Sequence, residues 1–247
     1  MKAQKVLVIF VMIFLMSACS KHSPNAEVNA EKSFSPQQPI NVVATVGMIA
    51  DAAKNIGGDF VKVVGLMGPG VDPHLYKASQ GDIRKLSNAD IIFYNGLNLE
   101  GKMGDIFVKM ARTRAVIAVT ESVDRNALRE PPEFLGHYDP HIWFDVSLWS
   151  QVLSKISDAF VELDPVHADV YRKNAINYRN ELLALHQWTK QTLAKVPVKQ
   201  RVMVTAHDAF GYFGRAYDVE VIGLQGVSTV AEFGLKDIQR IVDLLVK

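Results

Sequence analysis

The tripeptide Asp-Pro-His occurs twice in this chain, as Asp72-Pro73-His74 and Asp139-Pro140-His141, and a third histidine, His207, follows the apolar run Val202-Met203-Val204-Thr205-Ala206. The three histidines stand 67 and 66 residues apart (74 to 141, 141 to 207). Each follows or interrupts a segment that reads as a strand feeding a loop. In open α/β folds, loops at the carboxyl ends of parallel strands are where ligands bind. Three imidazoles delivered to such edges point to a first-row transition metal held by neutral nitrogen donors. A chain that brings them together needs an architecture in which distant strand ends converge.

The pattern between the histidines fits that demand. Short β-rich runs at Ile40–Val46, Phe60–Met67, Asp90–Asn95 and Ala115–Val119 alternate with helical spacing over Met48–Ile56, Ser79–Asn88 and Leu99–Arg112. Strands alternating with helices imply βαβ crossovers and a mainly parallel sheet. Glu121–Tyr138, with Pro131-Pro132 and Gly136, reads as a loop. A helix is expected from about Val146 to Leu163. Asp164-Pro165 then restarts a helix that runs without Gly or Pro to Lys195, Asp164 as N-cap acceptor and proline at the first helical position. Such a helix spans a domain face and suits a rigid spine between two lobes. Beyond Pro197 the rhythm returns, with strands at Arg201–Ala206 and Val219–Leu224, a helix at Ala209–Ala216, a loop at Gln225–Glu232 and an amphipathic helix at Leu235–Lys247. The expected fold class is therefore α/β: two βα lobes with mainly parallel sheets joined by a long rigid helix. A lobe with two strands cannot cover its sheet edges, so the C-terminal lobe is expected to be incomplete in this chain.

The start of the chain carries a separate message. Lys2 and Lys5 precede an apolar stretch from Val6 to Met16, followed by Ser17-Ala18-Cys19-Ser20. That is the layout of an export signal, and it is shorter than the ~20 apolar residues of a membrane span. Small residues directly before Cys19 resemble a bacterial lipobox, with Met16 where the pattern usually has Leu; Cys19 is then the lipidation site. Lys21–Pro39, rich in Ser, Pro, Asn and Gln, reads as a flexible tether. The expected organisation is a signal peptide over 1–18, a lipid-anchored tether over 19–39, an N-terminal α/β lobe over 40–145, a helical region over 146–196 and a partial C-terminal lobe over 197–247. Cys19 is the single cysteine, which excludes an internal disulfide framework and a multi-cysteine metal cluster. A net charge of +1, with no basic run beyond the first few residues, gives nothing for nucleic acid to bind.

Each histidine has a blander reading. Asp-Pro-His is also a favourable turn, because Asp favours turn initiation and proline presets φ. Two copies, each followed by an apolar and an aromatic residue (Leu75-Tyr76, Ile142-Trp143), favour a shared purpose; the aromatics are expected to wall off water. His137 is a competing ligand, Asp208 a simple helix N-cap, and His167 and His186 solvated helix residues. Three histidines do not complete a site, and Asp72, Asp139, Asp208 or Glu232 could supply a further donor. Asp72 and Asp139 are expected instead to accept hydrogen bonds from imidazole N–H groups. The set also matches the composition of a catalytic zinc centre with an open position. However, no His-Glu-x-x-His pattern is present, and no obvious general base accompanies the three histidines.

Asp72-Pro73-His74-Leu75-Tyr76, Asp139-Pro140-His141-Ile142-Trp143-Phe144-Asp145, Thr205-Ala206-His207-Asp208-Ala209-Phe210-Gly211-Tyr212-Phe213 and Gly223-Leu224-Gln225-Gly226-Val227-Ser228-Thr229 together resemble metal-binding solute-binding proteins of bacterial ABC transporters, the TroA-like branch above all. The likeness runs from about Ile40 to the end. It implies two α/β lobes bridged by a rigid helix, with zinc, manganese or sometimes ferrous iron buried between them. His74 and His141 match the N-lobe ligands; His207 matches the third, where some manganese binders carry glutamate. The resemblance places a fourth ligand, an aspartate, in sequence this chain does not contain, and the histidine-rich loop of many zinc-specific members is absent from Glu121–Tyr138. It further implies a monomeric, lipid-anchored receptor in the periplasm or on the cell surface that delivers its ion to an ABC permease and ATPase and undergoes small lobe movements. Surface adhesion, a zinc-dependent hydrolase or lyase, and organic-ligand binding are the rival readings.

Overall fold

The computed structural model describes residues 33–134 and 136–230, together with 234, 239, 242 and 243. The export signal, Cys19, Glu232 and most of the expected helix over Leu235–Lys247 lie outside the described residues. Among the described residues, six strands and six α-helices follow in order: β1 (Ile40–Ala44), α1 (Gly47–Gly57), β2 (Val61–Gly65), α2 (Gln80–Asn88), β3 (Ile91–Tyr94), α3 (Gly104–Met110), β4 (Ala115–Ala118), α4 (Val146–Leu163), α5 (Ala168–Leu193), β5 (Val202–His207), α6 (Gly211–Tyr217) and β6 (Glu220–Gln225). β1 to β4 form one sheet in the order β2-β1-β3-β4, and β5 pairs with β6 in a second. Every pairing between these strands is parallel, as the βα alternation requires.

The central strands of the first sheet are continuous apolar runs because both faces are covered: Ile91, Ile92 and Phe93 are fully buried, and Val42, Val43 and Ala44 nearly so. In this strand order the chain winds outward from β1 to β2, then crosses back to lay β3 on the other side of β1. The crevice at the carboxyl ends of β1 and β3 is thus a topological switch point, the place in such sheets where loops part and ligands enter.

Packing starts earlier than the expected Ile40. Phe34, within the stretch read as a tether, is 4% exposed against the core, and Ser35 and Gln38 close a turn through reciprocal main-chain hydrogen bonds of 3.1 and 2.9 Å. A single aromatic side chain is enough to dock a polar segment whose composition otherwise suggests disorder. The helix expected over Leu99–Arg112 is also shorter. Gly96, Leu97 and Asn98 all have positive φ (87°, 50° and 64°), so the chain reverses after β3. A 3-10 turn at Gly101–Met103 precedes α3. The carboxylate of Glu100 sets this reversal: Oε1 accepts from the Asn95 N–H at 2.8 Å and from the Thr45 hydroxyl at 2.6 Å. Glu100 is buried, and burial raises its pKa.

α5 has 26 residues, about 39 Å at 1.5 Å per residue, and lies against α4, α1 and α6. Its start departs from expectation. Pro165 does occupy the first position of a short 3-10 turn, but Asp164 makes no side-chain cap. Its Oδ2 accepts from the Tyr171 hydroxyl at 2.6 Å and lies 2.7 Å from His167 Nδ1. His167, whose ring also stacks on Phe60 at 4.0 Å, is therefore a corner brace rather than a solvated helix residue. His186 is likewise held, with Nδ1 3.2 Å from the Tyr217 hydroxyl. Histidines on a helix that crosses between sheets find partners on the elements it bridges. None of the helices searched among the described residues is long and apolar enough to cross a membrane.

Candidate metal centre

His74, His141 and His207 converge. Among the described residues they form a group whose ligand atoms lie within 4.8 Å of one another. His141 Nε2 is 3.2 Å from His74 Nε2 and 3.2 Å from His207 Nε2. A tetrahedral ion with Zn–N bonds of 2.0–2.1 Å would have nitrogen–nitrogen edges of about 3.3–3.4 Å. His74 and His141 are 6% and 3% exposed.

Local structure explains how each ring is aimed. In both Asp-Pro-His turns the aspartate Oδ1 accepts from the histidine main-chain N–H, at 2.8 Å in the first and 3.0 Å in the second. Proline fixes φ between donor and acceptor, so the turn is set before any ion arrives. His207 is the last residue of β5. Asp208 after it is not the N-cap of α6: Phe210 occupies that position, because the helix starts only at Gly211.

The partners of the outward nitrogens fix two tautomers. His207 Nδ1 lies 2.7 Å from the Gly226 carbonyl, which can only accept, so Nδ1 carries the proton and Nε2 is bare. His141 Nδ1 lies 2.8 Å from Asp139 Oδ1, and in the neutral ring the same argument leaves its Nε2 bare. Two lone pairs then face each other across 3.2 Å, an arrangement that repels unless a cation lies between them. A proton is disfavoured in that role. Burial, followed by the neighbouring imidazoles of His141 and His207, pushes His74 down to about 4, and burial together with His141 lowers His207. The arrangement suits a Lewis-acidic metal ion.

The aspartates divide in a way their shared motif does not reveal. Asp139 Oδ1 lies 2.8 Å from His141 Nδ1, and its Oδ2 accepts from Arg129 Nη1 at 2.6 Å. Asp72 does not serve an imidazole. Its Oδ2 accepts from the Thr229 hydroxyl at 2.6 Å, and its Oδ1 is spent on the His74 main chain. Burial pushes the Asp72 carboxyl up, but the Thr229 hydroxyl and the His74 N–H outweigh it and hold the pKa below its usual value.

His137 stands apart from the cluster, exposed beside Phe134 at 5.1 Å between rings. Trp143 lies edge-on to the His141 ring at 5.2 Å. Tyr76 instead donates to Asp82 at 2.7 Å, pinning the His74 loop to the capped start of α2. The residues that sequence reasoning missed are Arg129, Tyr212, Gly226 and Thr229, each of which steadies a histidine turn from outside its motif. A cavity of about 220 Å³ opens beside His74, lined also by Asn98, Gly101, Lys102, Ser228 and Val230.

Residues 42–247 match the family model ZnuA, zinc-uptake complex component A, periplasmic. The chain is 50% identical over 211 residues to the manganese-binding lipoprotein MntA of Bacillus subtilis, covering 85% of this chain and 69% of that protein. It is 47% identical over 203 residues to the zinc-binding protein TroA of Treponema pallidum, covering 81% of this chain and 64% of that protein. The solved structure of the periplasmic zinc-binding protein TroA from Treponema pallidum superposes with a TM-score of 0.80 at 45% identity, covering 84% of this chain and 74% of that one. With a match that spans both parallel sheets and the long helix between them, the chain belongs to the ZnuA family of metal-binding periplasmic proteins.

Proposed function

We propose that this chain captures a divalent transition ion, zinc or manganese, through Nε2 of His74, His141 and His207, and passes it to a membrane permease driven by an ATPase. The single observation that carries the reading is the convergence of three imidazoles, with His141 Nε2 3.2 Å from Nε2 of both His74 and His207. MntA is named for manganese and TroA for zinc, and the donor set accommodates either ion. A nitrogen-rich site holds zinc more tightly than manganese by the Irving–Williams order, whichever ion the cell supplies. Three imidazoles leave coordination positions for water or a further donor. The family is one of metal carriers rather than enzymes, so the bound ion is cargo. Acylation of Cys19 would hold the receptor at the outer face of the membrane, acting as a monomer.

Isothermal titration of the metal-free chain with zinc and then manganese tests the reading. Saturable binding of one ion per chain, abolished when His74, His141 and His207 are all changed to Ala, is expected; flat titrations of the unaltered chain sink it. Mass spectrometry of membrane-extracted protein tests the anchor, through the added mass of acyl chains on Cys19 and its loss in Cys19→Ala.

A further inference from the structure

The two Asp-Pro-His turns are alike inside and different outside. The Asp139 turn is secured by Arg129 and by α6: Arg129, ten residues earlier, takes Oδ2, the Asp139 N–H returns to the Arg129 carbonyl at 2.9 Å, and the Tyr212 hydroxyl holds the Asp139 carbonyl. The Asp139 side chain is fully buried. None of these braces involves a residue of loop 226–230, so His141 stays held when that loop moves.

The Asp72 turn is secured from a distance. Thr229, which takes Asp72 Oδ2 at 2.6 Å, is 157 residues away, on the loop that leaves β6 in the second sheet. The same loop supplies the Gly226 carbonyl that orients His207, and its Thr229 carbonyl is tied back to Gln225 Nε2 at 3.0 Å. One five-residue loop thus orients His207 at one end and, through Asp72, steadies His74 at the other. Ser228 and Val230 of this loop also line the cavity beside His74, so the solvent-facing side of the centre lies where the loop is fastened.

We propose that the Thr229–Asp72 hydrogen bond is the latch that sets the rate of metal release, with His141 the anchor that keeps the ion longest. The proposal rests on the reading that the three histidines hold the ion. Breaking the latch frees loop 226–230, which loosens the Gly226 carbonyl from His207 and the Asp72 turn from His74 in one movement. Water from the cavity can then replace those two nitrogens, while Asp139 and Arg129 still hold His141. Thr229 touches no ligand ring through its hydroxyl and is a positioning residue.

The test is the rate at which zinc leaves the loaded full chain when an excess of chromogenic chelator is added in a stopped-flow instrument. Thr229→Val removes the hydroxyl at nearly constant shape, and Thr229→Ser keeps it. A hydrogen bond to a charged acceptor is strong enough that its loss should speed release about tenfold or more in Thr229→Val. Thr229→Ser should stay near the unaltered rate, and the rate of zinc uptake should change little in either variant. Equal release rates in Thr229→Val and the unaltered chain overturn the latch while leaving the metal site intact. Faster release in both variants alike also overturns it, because the hydroxyl would then not be the group that matters. An unaltered chain that takes up no zinc overturns the metal reading itself and the latch with it.

Discussion

The hydroxyl of Tyr212 donates to the main-chain carbonyl of Asp139 at 2.9 Å, joining α6 to the turn that aims His141. It also accepts from the Arg129 N–H at 3.0 Å, and Tyr212 is fully buried. Burial pushes its pKa up to about 12, so the hydroxyl remains a donor across the physiological range. Tyr212→Phe keeps the ring and strands a buried carbonyl and a part-buried N–H. A loss of about 1–3 kcal/mol is expected, read by denaturant unfolding of the metal-free protein; an unchanged midpoint would show that water replaces the hydroxyl.

Asp139 gives one oxygen to His141 and the other to Arg129. In Asp139→Asn only one of those donors can find the amide oxygen, and the other meets an NH₂ group. Removing one partner of a buried ion pair costs about 3–5 kcal/mol, here toward the lower end because Arg129 is 26% exposed. Losing the acceptor behind a metal-ligating imidazole weakens metal binding about 10–100-fold. Titration calorimetry with zinc checks the second figure, and affinity equal to that of the unaltered protein would refute the role given to Asp139.

Gly223 in β6 leaves room for the backbone just after His207. A Cβ there would stand 2.7 Å from Asp208 Cα and 2.8 Å from its N, contacts that only a main-chain shift can relieve. Gly223→Ala should therefore cost about 1–3 kcal/mol by overpacking and displace His207 from its partners. Zinc affinity and thermal stability should fall together; a stability loss with affinity intact would mean that β5 yields without moving the ring.

The lowered pKa of His74 has a consequence for the metal-free protein. Its folded value of about 4 lies below the ordinary 6.5, so between those values the unfolded chain binds more protons than the folded one. The stability that the neutral ring contributes is complete above pH 6.5 and is lost as pH falls toward about 4. His207, also lowered, acts in the same direction. Unfolding midpoints of the metal-free protein should drop between pH 7 and 5, and the drop should shrink in His74→Gln. A midpoint that rises over that range would contradict the assignment.

Much of the secondary structure could be read from local pattern. The β-branched residues Ile40, Val42 and Val43 and the capping box from Ser79 to Asp82 are signals contained within a few residues, and β1 and α2 form where those signals stand. Reading failed where a distant group decides the backbone. Leu97 and Asn98 take left-handed conformations because Glu100 reaches back to Thr45 and Asn95, and helical spacing over Leu99–Arg112 carries no trace of that. His167 and His186 looked solvated because their partners Phe60 and Tyr217 lie far away in sequence.

The amino-acid order by itself determined the α/β class, the long helix and the three histidines, because proline geometry, β-branching and apolar periodicity act over a handful of neighbours. Only the tertiary structure decided which nitrogen of His207 faces the centre, that Arg129 stands behind one aspartate and Thr229 behind the other, and that His137 is left outside. Those outcomes depend on contacts between segments ten to more than a hundred and fifty residues apart. Side chains of that kind meet only when both sheets and the helix between them are packed, so no local preference encodes them.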